Sequence, residues 1–184
     1  MSRHHRTLHP FEASADGEVF SLEAWISRFP GRLEIRYRLV GPVDQLILPP
    51  PAGQPRRRDQ LWQSTCFEAF IAHAGQPAYR EVNLSPSGDW NVYRLTGYRA
   101  CLEAETGCRS VLSEVERQPG SLRVDLTLDL APWFGEGQAL DMAVTAVLQH
   151  QGGQFSYWAL AHTGPEADFH DRRGFLLQLQ APQE

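Results

Sequence analysis

Ser121-Leu122-Arg123-Val124-Asp125-Leu126-Thr127-Leu128-Asp129-Leu130 alternates without a break between polar and apolar side chains. An extended chain points successive side chains to opposite faces, so this stretch predicts a strand with one buried and one solvated face. Pro119-Gly120 before it marks a turn from a preceding strand over 110–117. Ala131-Pro132-Trp133-Phe134-Gly135 after it breaks the ladder, because proline has no N–H to give to a sheet.

Working outward, the same period recurs. Leu33, Ile35, Tyr37 and Leu39 alternate with Glu34, Arg36 and Arg38, and Pro30-Gly31 joins them as a hairpin to a strand over 18–27. Further strands are expected over 43–48, 66–72, 79–84, 90–95, 140–149, 155–161 and 175–179, separated by Gly and Pro punctuation. Little room is left for a long amphipathic helix. Short strands spaced this way predict an all-β protein, a two-sheet antiparallel β-sandwich of about ten strands. With no internal repeat or linker, residues 1–184 read as one domain.

Composition agrees with one self-sufficient core: 42% of the residues are hydrophobic, including 9 Phe, 5 Trp and 5 Tyr, enough bulky surface to offset the entropy of ordering the chain. A net charge of −5 provides no global attraction for nucleic acid or an anionic membrane. The one basic run, Arg56-Arg57-Arg58, sits among Pro49-Pro50-Pro51 and Pro55 and reads as a solvated loop rather than a phosphate-binding patch. Residues 49–60 form a long surface loop, a candidate rim for a binding cleft. No stretch reaches the ~18 apolar residues of a membrane span, and no apolar signal core follows Met1-Ser2-Arg3-His4-His5-Arg6, so the expected location is cytoplasmic. Cys66, Cys101 and Cys108 are then thiols.

Three segments hold more aromatic and hydrogen-bonding side chains than strand construction requires. In Leu61-Trp62-Gln63-Ser64-Thr65-Cys66-Phe67-Glu68-Ala69-Phe70, Glu68 lies on a strand and shares a face with Cys66 and Phe70. A buried carboxylate there needs a partner, either a structural ion pair or a ligand. Glu81-Val82-Asn83-Leu84-Ser85-Pro86-Ser87-Gly88-Asp89-Trp90-Asn91-Val92-Tyr93 reads as a hairpin turning at Ser85-Pro86-Ser87-Gly88. Ser85 is no nucleophile elbow, since the Gly-x-Ser-x-Gly pattern is absent. In Phe155-Ser156-Tyr157-Trp158-Ala159-Leu160-Ala161-His162, alternation puts Ser156, Trp158, Leu160 and His162 on one face and Tyr157 on the other. Trp158 is either core or a stacking platform. His162, Asp168 and His170 match no metal spacing, and Gly-rich phosphate loops are absent.

Together, Leu61 to Phe70, Asn83 to Trp90 and Ser156 to His162 resemble the bacterial DOMON-like domain proteins, over nearly the whole chain. The resemblance implies an immunoglobulin-like or jelly-roll sandwich related to haem-binding or sugar-binding DOMON domains and to family nine carbohydrate-binding modules. Trp62 and Glu68 match the Trp and Glu of the strand motif, and Trp158 stands as a second aromatic.

The function expected is non-catalytic binding of a small sugar-like, polyhydroxylated molecule on a concave sheet face. Aromatic rings stack on apolar sugar faces while carboxylate and amide fix the hydroxyls. Candidate contacts are Trp62, Glu68, Asn83, Ser85, Tyr93, Trp158, His162 and His170. No cofactor is required. Three alternatives stay open: a haem-binding redox domain with His162 or His170 as axial ligand, since Met1 and Met142 are the only methionines; a sandwich that only presents a surface to a protein partner; and hydrolysis through Glu68 or Glu81 with His162.

Overall fold

The structure, a computed structural model, describes residues 2–12, 19–135 and 137–182. Twelve strands are found among them: β1 (Ser2–Pro10), β2 (Ser21–Phe29), β3 (Arg32–Val40), β4 (Cys66–His73), β5 (Tyr79–Leu84), β6 (Trp90–Leu95), β7 (Glu103–Ala104), β8 (Leu112–Gln118), β9 (Ser121–Asp129), β10 (Leu140–Gln149), β11 (Phe155–Ala159) and β12 (Leu177–Leu179). The only helices among the described residues are three single turns of 3₁₀. All pairings are antiparallel and run β7-β6-β5-β4-β10-β11-β1-β2-β3-β9-β8, with β12 added to β10.

The alternating stretch forms β9, and its four apolar residues, with Leu130 just past the end of the strand, are all buried. It lies between β3 and β8, paired with each. Both Pro-Gly turns are hairpin turns: Gly31 and Gly120 adopt φ of 65° and 77°, a left-handed conformation that costs glycine little.

One continuous sheet curls so that its two halves meet. β1 joins them, pairing through Ser2–Leu8 with β2 and through His9 and Pro10 with β11. Across the interior, Tyr37 on β3 packs against Phe67 on β4 with ring centroids 5.2 Å apart, and its hydroxyl donates to the Glu68 carbonyl at 2.6 Å. Arg28 on β2, 2% exposed, donates to the Leu179 carbonyl of β12 at 2.7 Å. The core therefore draws on both halves, with Leu22, Ile26 and Ile35 from one and Ala69, Val82 and Val144 from the other.

Several sequence expectations change. Residues 43–48 are no strand: Val43–Gln45 is a 3₁₀ turn, and Leu46 makes an isolated bridge to His150. The strand expected over 18–27 is β2, with Glu18 and Met1 outside the described residues. Arg57 is no solvated loop residue. Its Nη1 donates to Asn91 Oδ1 at 2.6 Å and the Val92 carbonyl at 3.2 Å, and its Nη2 to the Glu105 carbonyl at 3.0 Å and the Cys108 carbonyl at 2.6 Å. The guanidinium also lies 4.5 Å from the Trp90 ring centroid. The 49–60 loop is thus fastened to β6, and its far end delivers Trp62. No described helix is long and apolar enough to cross a membrane.

Candidate functional site

Seven of the eight residues of β4 are buried, so both of its faces are covered. Phe67, Ala69 and Ile71 face the core. On the opposite face register brings polar side chains side by side: Glu68 pairs with Asn83 on β5 and Thr145 on β10, while Glu81 pairs with Phe70 on β4 and Tyr93 on β6. Glu68 is 3% exposed, Glu81 4% and Asn83 0%. A sheet face under cover needs apolar residues for stability, and burying carboxyl and amide groups there costs free energy. That arrangement points to function.

The cover comes from three segments. The 3₁₀ turn Leu61–Gln63 brings Trp62, which meets Tyr93 edge-on at 5.7 Å. The loop after β6 brings Arg99 and Leu102, and the segment after β11 brings Phe169 and His170. Phe70 holds the last of these down, with His170 at 5.3 Å and Phe175 at 5.9 Å between ring centroids. Asp168 clasps the two loops together, accepting from the Tyr98 hydroxyl at 2.6 Å and from Arg99 Nη2 at 3.0 Å.

Between sheet and cover lies a cavity of about 370 Å³ whose walls include Trp62, Glu68, Glu81, Arg99, Tyr157 and His170. Glu81 Oε1 accepts from Asn83 Nδ2 at 2.9 Å, whereas Glu81 Oε2 and Asn83 Oδ1 are buried with no hydrogen-bond partner. Glu68 has a long contact from the Thr145 hydroxyl at 3.4 Å. Burial, and then the neighbouring Glu81, push the Glu68 carboxyl well above the usual carboxylate range; burial raises Glu81 as well. Burial also lowers His170 to about 4, so its ring is neutral at pH 7. The Tyr79 hydroxyl meets His170 Nδ1 at 2.7 Å, which leaves Nε2 facing Glu81 Oε2 at 3.9 Å.

Of the residues expected from sequence, the fold brings Trp62, Glu68 and His170 into the cavity wall. Asn83 lies directly beneath Glu81, and the Tyr93 hydroxyl is spent on Asp59 Oδ1 at 3.0 Å and on Asn91. Ser85 is in the turn after β5, where its hydroxyl accepts from the Ser87 hydroxyl at 3.0 Å. Trp158 turns to the other side of β11, 3% exposed within the core. His162 lies apart, with Nε2 2.9 Å from the His9 carbonyl. His170 is therefore the one imidazole among the described wall residues, and bis-His ligation of a haem has no second ligand here; Met142 is fully buried in the core.

Tyr157 and Arg99 complete the site beyond the residues expected from sequence, with Glu81, which the sequence offered only as a hydrolytic alternative to Glu68. The signal for Tyr157 was its place opposite Trp158 on β11, and for Glu81 its diagonal position from Glu68 across the β4–β5 pair. A larger hollow of about 820 Å³ lies beside Trp158, Phe11 and Phe20, with a rim at Glu12 and Val19 on either side of residues outside those described. Among the described residues its walls hold no buried carboxyl, and the smaller cavity, which has two, is the functional candidate.

No protein-family model and no curated protein sequence matches the chain. Solved structures share its fold, three of them as follows. A protein from Bacteroides uniformis described as carbohydrate-binding is 12% identical and superposes with a TM-score of 0.63, covering 93% of this chain and 83% of that one. A family 9 carbohydrate binding module from Caldicellulosiruptor kristjanssonii, solved with cellotriose, is 11% identical with a TM-score of 0.54, covering 88% of this chain and 74% of the other. A family 9 module from the same organism, solved with glucose, is 11% identical with a TM-score of 0.55, covering 95% and 80%. At these identities the likeness concerns the fold.

Proposed function

We propose that the protein is a non-catalytic binding domain for a small sugar-like, polyhydroxylated molecule, held in the cavity over β4 and β5. The observation that carries this reading is the pairing of Glu68 and Glu81, buried in the floor, with the rings of Trp62 and Tyr157 in the walls. Aromatic faces match the apolar faces of a sugar ring, and buried oxygens without partners fix its hydroxyls. At about 370 Å³ the cavity is at the lower end of the ~300–1,000 Å³ typical of small-molecule sites and suits one or two rings. The likeness to carbohydrate-binding structures supports the same reading.

In this reading the curled sheet is a jelly-roll-like sandwich, related to DOMON-like domains and family nine modules. It forms one domain, works in the cytoplasm and needs no cofactor.

Calorimetry with neutral and amino mono- and disaccharides tests the proposal. At least one binds, and Trp62→Ala weakens it about tenfold, as expected for losing a ring contact of roughly 1.4 kcal/mol. Binding by none, or undiminished binding by a folded Trp62→Ala variant, refutes it.

A further inference from the structure

The described wall of the cavity holds more acid than permanent positive charge. Two carboxyls, Glu68 and Glu81, face it from adjacent strands. The one permanent cation among the described wall residues is Arg99, whose side chain is 54% exposed and is bound by Asp168 at the rim. His170 is neutral at pH 7. The other ionisable groups facing the pair are Cys66 from β4, Tyr79 from β5 and Tyr93 from β6, none of which is cationic.

In the wall, Glu81 Oε2 is a buried acceptor without a donor, and next to Glu81 but outside the wall Asn83 Oδ1 is another. Each hydroxyl of a neutral sugar offers one donor, brings further lone pairs, and gives the two carboxyls no counter-charge with which to ionise. An ammonium group brings three donors, no lone pairs and a charge against which a buried carboxyl can ionise. The rings of Trp62, Tyr157 and Phe169 add faces that attract a cation.

We propose that this site takes an amino sugar, a polyhydroxylated ring bearing a protonated amine, in preference to the corresponding neutral sugar, with the amine seated against Glu81 and Glu68. The inference rests on the reading of the cavity as a sugar site and adds the ligand's charge. Burial raises both carboxyls and an ammonium group beside them favours their ionised form, so uptake of the cation is coupled to proton release.

Calorimetry at pH 6.5 with glucose, N-acetylglucosamine, glucosamine and putrescine tests it, each titration run in two buffers of different ionisation enthalpy. Glucosamine is expected to bind at least ~10-fold tighter than glucose or N-acetylglucosamine, a preference of about 1.4 kcal/mol. It is expected to release protons where glucose does not. In Glu81→Gln the ratio of the two affinities falls toward one. Glucose binding as tightly as glucosamine overturns the amine preference and leaves the sugar reading intact. Putrescine binding with no sugar bound overturns the sugar reading and upholds the preference for an amine. Binding by none of the four overturns both.

Discussion

Replacing Arg57 with Met keeps the length of the side chain and removes its charge and its donors. The wild-type guanidinium divides its hydrogen bonds between two nitrogens, each with one contact of 2.6 Å, to Asn91 Oδ1 and to the Cys108 carbonyl. The remaining two contacts, at 3.2 and 3.0 Å, are longer and weaker. Counting only the short pair, at about 1.5 kcal/mol each for a charged donor, gives about 3 kcal/mol. The stack on Trp90 adds about 0.5–1 kcal/mol at a half-exposed site, part of which a methionine retains. Arg57→Met is therefore expected to destabilise by about 3 kcal/mol. For a domain of this size that lowers Tm by about 6–12 °C. Urea unfolding at neutral pH measures the loss, with Arg56→Met as control, since Arg56 is exposed and bonds only through its backbone, its N–H donating to Asp89 and its carbonyl accepting from the Trp90 N–H. The control should stay within about 0.5 kcal/mol of the parent. A loss below 1 kcal/mol for Arg57→Met, or an equal loss in the control, refutes the view that the Arg57 side chain is a principal fastening of the 49–60 loop.

Two further outcomes follow from buried polar groups. The Glu68 carboxyl is raised in the folded state, so the native protein holds a proton that the unfolded chain loses near pH 4, and stability falls as pH rises from there. Glu68→Gln cannot ionise, so its advantage over the parent should widen from pH 4 to pH 8 in urea titrations; a constant difference would show that the carboxyl is not held protonated. Tyr37→Phe removes the 2.6 Å bond from a fully buried hydroxyl to the Glu68 carbonyl and should cost about 1–1.5 kcal/mol by thermal or urea unfolding, with a neutral result placing no weight on that bond.

Alternation was a sufficient guide wherever one face of a strand is wet. β2, β3 and β9 bury every second residue, and all three appear in the sequence as strands. β1 has one deeply buried side chain, Leu8, among exposed or half-buried Arg and His, so nothing in its sequence marks it as the strand that joins the two halves. Its place comes from backbone pairing on both sides, which leaves no trace in hydropathy. Residues 43–48 failed in the opposite way: Val43 and Leu46, three apart, are the buried pair, a spacing that fits a 3₁₀ turn. β7 is two exposed residues long and carries no periodic signal.

The site was legible in its residue types and less so in its geometry. Trp62, Glu68 and Asn83 come from neighbouring strands and a short turn, within reach of local reading. His170 arrives on a distant loop, held by Tyr79 and Phe70, and only the fold brings it to Glu81. The choice between Trp158 and Tyr157 turns on register. β11 pairs Tyr157 with Val147 and Trp158 with Ala146, and Ala146 faces the core. A slip of one residue would exchange them, putting the tryptophan over the carboxyls and the tyrosine inside. β10, which sets that register, is buried along nearly its whole length on both faces, so its own alternation does not reveal which face is the core. Glu68 resolves the choice physically: the face of β4 that carries a carboxyl cannot be the apolar interior, so residues paired into its row belong to the site. Thr145 lies in that row directly beside Glu68, Val147 is on the same face one step along, and Val147 is the partner of Tyr157. The buried acid therefore identifies both the floor of the cavity and the aromatic ring that closes it.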